Sequence, residues 1–526
     1  MKWSNLVFAG VLVFNCIVPA RAEFDPARVK AEPLAVAQRY PDPAVTYLTP
    51  SLAIDRANFA SHDEVMQYVR QMASANPSVR LEVIGKSQQG RDIPLLILTS
   101  AGVFQPHKPT VLILGQQHGN EPAGGEAALA IAEQLATAQK DVLQQVNVLI
   151  LPRSNPDGAQ NFVRATASGL DVNRDHLLLQ TPEASAIAAT ARRFAPQVVL
   201  DLHEFTVGDR WIDKFGAYAK YDALLQAATV GNMSASVADL ALREFVGGAR
   251  AALESQGLAT FWYHTSSTDA KDRVVSMGGV QPDTGRNVYG LRHAVSVLIE
   301  TRGVGLGRAH FLRRVHTHVL AALAVVRSAA AQGSALVDAV RLAGETTAGA
   351  ACKGDMVVRA SASPSRELLG MVDASTGADR TEPVEWRSAL TLKVQESRAR
   401  PCGYWLASTE TDALQKLRDL GVEVVPLKQS KTVKVQSYKV LSEKGGQRQD
   451  ARGAIAANRS IREVVVALDD GEVTLPAGSW YVPMRQALGA LVAAALEPDS
   501  QNSFVANHVL SVEPGAILRV WSDLKE

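Results

Sequence analysis

The chain has 526 residues, 47% hydrophobic and 20% charged, which is ordinary globular composition over a length that exceeds one domain. A formal charge of +1 leaves no basic field for nucleic acid and no acidic tail, so no nucleic-acid partner is expected.

Residues 1–22 read as a secretory signal: Lys2, the apolar core "LVFAGVLVFNCIV", and the small-x-small site "ARA" before Glu23. The core is short for a membrane span, and no later apolar run is long enough for one. A periplasmic or secreted protein with no membrane span after signal removal is therefore expected. Cys16 leaves with the signal. Cys352 and Cys402 remain, and an exported compartment permits a bond between them, with two buried free thiols as the alternative.

Residues 23–60 are rich in Pro and Ala and predict an arm wrapping the surface. The spacing in "SHDEVMQYVRQMASANP" predicts a helix capped by Ser61. "VRLEVIGKSQQGRDIPLLILTS" predicts two strands joined by a glycine turn. From about residue 109 to 330, the apolar runs "TVLILG", "VNVLILP", "QVVLDLH" and "AVSVLIE" alternate with helical patterns such as "GGEAALAIAEQLA" and "PEASAIAATARRF". Nearly all-apolar runs suit strands buried on both faces. The fold class is thus α/β, a mostly parallel mixed sheet covered by helices, in a domain taken over 61–330.

After about residue 345, "TVKVQSYKVL", "REVVVALDDGEVTLPAGSWYV" and "AILRVWSD" are strand-like, and one helix, "DALQKLRDLG", ends at Gly421. Residues 345–526 are predicted as a separate, mainly β accessory domain. Its Trp480 and Tyr481 suit stacking on sugars, but core or interdomain packing is the plainer reading. His310, His316 and His318 in "RAHFLRRVHTHVL" are read as helix surface rather than a metal cluster, because residues two apart on a helix do not share a face.

In open α/β sheets, ligands gather beyond the carboxyl ends of the strands. His118 and Glu121 follow the first of the apolar runs, His203 ends the third, and Glu300 ends the fourth. HxxE alone carries little, but two histidines and two glutamates at neighbouring strand ends carry much more. His118, Glu121 and His203 form a catalytic zinc set that leaves a fourth position for water, with one Zn²⁺ per chain. Glu300 is then the carboxylate that moves the water's proton. Glu204 is a rival, set aside because adjacent strand residues face opposite sides of a sheet. Arg164 or Arg174 could stabilise a developing oxyanion or grip a carboxylate.

These residues resemble a known family. "HGNE", "NPDG", "DVNR", "LH" and "LIETR" occur in the order seen in carboxypeptidase A-like zinc metallocarboxypeptidases, over about residues 80 to 325. The C-terminal part resembles an appendage on some bacterial, exported members. The resemblance implies that His118, Glu121 and His203 hold zinc, that Glu300 is the general base, that Arg164 stabilises the oxyanion, and that Asn173 and Arg174 bind the substrate's terminal carboxylate. It implies a peptide substrate with a free C-terminal carboxylate. The segment between Glu121 and His203 is shorter than in digestive members, and Glu204 follows the third ligand where those have a small polar residue. For the family's active-site tyrosine the candidate is Tyr289, which lies nearer Glu300 than that tyrosine would, with Arg286 close by. Two other readings stay open: a zinc amidase or deacylase acting on acyl-amino acids or cell-wall peptides, and a non-catalytic peptide or glycan binder.

Overall fold

The computed structural model describes residues 24–450, 453–454 and 460–524, so the predicted signal segment lies outside it. Ser61 caps α1 (His62–Ala75) through a reciprocal pair: its hydroxyl accepts from the Glu64 N–H, and the Glu64 carboxylate accepts from the Ser61 N–H. An antiparallel hairpin follows, β1 (Val79–Lys86) and β2 (Asp92–Leu98), with Gly90 at φ +80° in its turn. Then come β3 (Thr110–Gly115), α2 (Pro122–Ala136), β4 (Asn147–Leu151), α3 (Pro182–Phe194) and β5 (Val198–Thr206). After these lie the short strands β6 (Ala217–Ala219), β7 (Ala223–Ala227), β8 (Thr260–Trp262), β9 (His264–Ser266) and β10 (Val274–Met277). The α/β part closes with α4 (Gly285–Leu291), β11 (Val295–Val304) and α5 (Phe311–Gln332).

The main sheet runs β1-β2-β4-β3-β5-β11-β7-β8. Its centre, β4-β3-β5-β11, is parallel, and antiparallel pairs flank it. Both faces are covered, which explains the apolar runs without alternation. Val111, Ile113, Val148 and Ile150 face the core shared with α1, α2 and α5. Leu112, Leu114, Leu149 and Leu151 face a second core with α3 and α4. Successive connections leave β3 in opposite directions, to β4 on one side and toward β5 on the other, which opens a crevice at the strands' carboxyl ends.

Within residues 24–60, Glu32 sets one charge pair. Arg302 pairs with Glu32 at 2.9 Å and lies over the Tyr40 ring.

His310, His316 and His318 are not helix surface as read from the sequence: His310 lies 3.2 Å from Glu32 at the helix start. His318 is wholly buried and lies 3.0 Å from the Thr301 hydroxyl, while His316 meets the Tyr47 hydroxyl at 2.6 Å. The helix is clasped between the sheet and the arm, so both of its sides are covered. Residues 311–332 and 334–349 are apolar helices bent 85° apart, and no single helix among the described residues is long and apolar enough to cross a membrane.

The C-terminal third is rich in strands, and its first hairpin is joined to the α/β part. Strands β12 (Asp355–Asp373) and β13 (Asp379–Ala399) sit in a five-stranded sheet ordered β6-β12-β13-β10-β9, so three of its strands come from before residue 280. A six-stranded sheet lies beyond, built from segments between 403 and 520. The helix Thr411–Asp419 ends just before Gly421, at φ +82°. Tyr481 is fully buried with its hydroxyl donating to the Cys402 carbonyl, and Trp480 stacks under Arg418, so both are packing residues.

Cys352 and Cys402 are bonded, tying the chain before β12 to the chain after β13. Closing a loop of this length restricts the unfolded chain, and replacing both cysteines by serine is expected to cost about 2–4 kcal/mol in denaturant unfolding. A difference below about 0.5 kcal/mol would mean that the hairpin pins the loop ends without the bond.

Candidate metal centre and active site

The loop after β3 can be this tight only because of its glycines. Gln116 adopts φ 51°, and a Cβ on Gly119 would fall 1.8 Å from the Gly158 carbonyl carbon. Gly124, in the first turn of α2, lets the helix reach β5, since a Cβ there would lie 2.7 Å from the Leu202 carbonyl oxygen. The close approach brings Glu121, at the helix start, beside His203 on β5.

His118, Glu121 and His203 are all buried and converge. The two Nδ1 atoms lie 3.0 Å apart, the His118 Nδ1 lies 2.9 Å from Glu121 Oε1, and the His203 Nδ1 lies 2.8 Å from Glu121 Oε2. Among the described residues this is the one group of its kind whose ligand atoms all fall within 4.8 Å of one another. Each imidazole turns its other nitrogen to a carboxylate: His118 Nε2 to Asp171 at 3.0 Å, and His203 Nε2 to Asp201 at 2.7 Å. That arrangement fixes the ring so that Nδ1 presents its lone pair to the centre.

The donor set fits zinc. Nitrogen and carboxylate donors at about 2.0–2.2 Å from a tetrahedral centre stand roughly 3.3 Å apart, near the spacing found here. Burial alone would raise the Glu121 carboxyl, but the His118 and His203 imidazoles hold it well below the usual carboxylate range. Burial alone would lower His203, but Asp201 and Glu121 push it well above an ordinary histidine. The two shifts have opposite signs because each group holds the other in its charged form.

Glu300 stands opposite His203 in register across the parallel β5–β11 pair, so the two side chains leave the sheet on one face. They share that face with Asp201, two residues before His203. Glu300 lines a cavity of about 220 Å³ together with His118, Glu121, Arg164, Arg174 and Arg286. Glu204 points to the other side of β5. There Arg314 donates to one of its oxygens at 2.7 Å, and the Ala123 N–H donates to the other at 2.9 Å. It is a structural ion pair beneath α2 and α5.

Arg164 stands over the centre. Its Nε and Nη2 both donate to Asp171 Oδ2, at 3.1 and 2.9 Å, and its Nη1 lies 3.2 Å from Glu121 Oε1. Asn173 also lines the cavity, but its amide group is engaged at both ends. Its Nδ2 lies 3.1 Å from Asp201 Oδ2 and 2.9 Å from His203 Nε2, and its Oδ1 accepts from the Gly285 N–H at 2.8 Å. Arg174 lines the cavity beside it, its Nη1 donating to the Asn173 carbonyl at 2.8 Å.

Tyr289 does not reach the cavity. It lies on α4, buried in the core with Ile187, Val199 and Ala294, its ring edge-on to His176 at 5.5 Å. Proximity in sequence to Glu300 misled here, because α4 turns this residue away from the strand ends. The tyrosine that does line the cavity is Tyr263, between β8 and β9. Nothing in "ATFWYHT" marked it, since its place depends on β7 and β8 extending the sheet. Asp171 and Asp201 were also missed. The signal for Asp201 was available, as residues two apart on a strand share a face.

The accessory part touches this site. Beyond the end of the long strand Lys431–Gln447, Arg448 donates to the Arg174 carbonyl at 2.8 Å and pairs with Asp283 at 3.3 Å. The β10 strand, whose Met277 lines the cavity, pairs with β13.

Residues 65–221 match the family model described as zinc carboxypeptidase, a span that holds His118, Glu121 and His203 but ends before Glu300. Carboxypeptidase 2 of Trichophyton rubrum is 28% identical over 477 residues, covering 88% of this chain and 86% of the relative. Carboxypeptidase 2 of Trichophyton equinum is 27% identical over the same length and coverage. Among solved structures, a metallo-carboxypeptidase from Pseudomonas aeruginosa aligns with a TM-score of 0.38 at 20% identity, over 52% of this chain and 70% of its own. The family match lies on the segment that brings the buried His–Glu–His set together, and the carboxypeptidase relatives span most of the chain: it carries a zinc carboxypeptidase domain, and its likeness to carboxypeptidases over most of its length supports a metallocarboxypeptidase.

Proposed function

We propose that this chain is an exported exopeptidase that hydrolyses the C-terminal peptide bond of peptides, using one zinc ion held by His118, Glu121 and His203. The observation that carries the reading is the placement of Glu300 in register with His203, on the face where the donor set opens into the cavity. Zinc, when bound, supplies a Lewis acid that polarises the scissile carbonyl and makes water acidic enough to attack near neutral pH.

The chain's own residues do the rest. Glu300 takes the proton of the attacking water and passes it to the leaving amine. Arg164, held in place by Asp171, presents Nη1 beside the donor set, where negative charge develops on the carbonyl oxygen. Arg174 receives the terminal carboxylate. Asn173 next to it holds His203 and the start of α4 in place. Export is the reading of residues 1–22.

A mixed peptide pool incubated with zinc-loaded protein tests the reading by mass spectrometry. Peptides shortened stepwise from the C-terminus support it. An untouched pool, with acyl-amino acids or cell-wall fragments cleaved instead, would move the assignment to an amidase.

The buried partners of the histidines have their own readout. Asp201→Asn keeps shape but weakens the hold on His203, and zinc affinity is expected to fall by roughly 10–100-fold in competition with a chelating dye. Unchanged affinity would show that Asn173 alone orients the ring.

A further inference from the structure

The cavity contains more positive charge than a terminal carboxylate requires. Arg174 is one cation on its wall, and Arg286, at the start of α4, is a second. Arg286 is 3% exposed, yet among the described residues no carboxylate pairs with it. Its Nη2 donates to the Gly279 carbonyl at 2.7 Å, and its Nε makes only a long contact, 3.4 Å, to Asn287 Oδ1. For the second terminal nitrogen, Nη1, there is no hydrogen-bond acceptor among the described residues.

A buried guanidinium without an anion is costly to keep, and the surroundings are shaped to keep it. A Cβ on Gly278 would lie 2.3 Å from Arg286 Nη1 and 2.9 Å from Nη2, so the glycine at that place makes room for the charged group. Gly278 and Gly279 line the cavity, as do Met277 and Leu298. The nearby acids are committed elsewhere: Asp201 to His203 and Asn173, Asp283 to Arg448. Burial pulls the Arg286 guanidinium down to about 10, which leaves it charged at neutral pH.

We infer that Arg286 is a specificity residue that receives an acidic side chain, so that this carboxypeptidase prefers peptides ending in glutamate or aspartate. The inference rests on the exopeptidase reading above. With the terminal carboxylate on Arg174, the side chain of the same residue enters the space walled by Met277, Gly278, Gly279 and Leu298, where Arg286 offers a planar, multi-donor group to a carboxylate. Lysine or arginine at that place would meet a like charge in a dry pocket.

The test compares peptides identical except for a terminal Glu, Gln, Leu or Lys. Wild type is expected to show kcat/KM for Glu above that for its neutral isostere Gln by roughly 10–100-fold, the span of one charge-assisted contact, and to cleave Lys poorly. In Arg286→Met the Glu-to-Gln ratio falls to within a few-fold of unity, and in Arg286→Lys part of the preference remains. Titration calorimetry with zinc-loaded Glu300→Gln gives the same comparison without turnover: the Glu-ended peptide binds more tightly than the Gln-ended one, and adding Arg286→Met erases the gap. Efficient cleavage with Leu or Lys preferred, or a Glu-to-Gln ratio unchanged in Arg286→Met, overturns the assignment of Arg286 while leaving the exopeptidase intact. If no terminal residue is removed from any peptide, the exopeptidase reading falls and takes this one with it. Should Arg286→Met fail to fold, the wild-type ratio and Arg286→Lys still decide the matter.

Discussion

Replacing Glu300 by glutamine is expected to lower kcat by roughly 10²–10⁴-fold while KM stays within a few-fold and zinc content is unchanged. Glutamine fills the same space on β11, so the register with His203 and the shape of the cavity persist. What it cannot do is accept a proton from water and return it to the leaving amine. The combination of a large loss in kcat with a full complement of metal separates a proton-transfer role from a structural one. A variant with wild-type kcat would remove Glu300 from the chemistry. Glu204 could not then step in, because Arg314 and the Ala123 N–H already occupy both of its oxygens on the opposite face of β5.

Replacing Arg164 by alanine is expected to cost roughly 10²–10³-fold, again in kcat, if its Nη1 meets the charge that develops on the carbonyl oxygen. Two of its nitrogens are spent on Asp171, which fixes the plane of the guanidinium, and the third stands 3.2 Å from Glu121. Asp171 holds His118 with its other oxygen, so the arginine and a metal ligand share one anchor. For that reason zinc content must be measured alongside. A loss confined to kcat with metal retained supports transition-state stabilisation. A rise in KM alone would make Arg164 a ground-state clamp for the substrate instead.

Much of the fold was legible in the sequence because burial on both faces leaves a plain mark. "TVLILG" and "VNVLILP" are apolar without alternation because α2 and α5 cover one side of the sheet and α3 and α4 the other. The caps were equally legible: Ser61 and Gly421 act locally, within a few residues of the helix ends they mark. His118, Glu121, His203 and Glu300 could be found because each ends or follows one of the apolar runs, and a parallel sheet brings such positions together.

What the sequence did not disclose depends on contacts between segments far apart along the chain. Whether Tyr289 or Tyr263 faces the cavity turns on the direction of α4 and on β7 and β8 continuing the sheet, neither of which any local pattern encodes. His318 looked like helix surface because its second covering, the arm and sheet around α5, comes from elsewhere in the chain. The hold that Arg448 takes on Arg174 and Asp283, and the pairing of β13 with β10, join the C-terminal part to the wall of the site. Residue type and local spacing determined which groups could bind a metal or move a proton. Only the tertiary structure decided which of them share a cavity, because that is settled by strand order, register and the faces on which side chains leave the sheet.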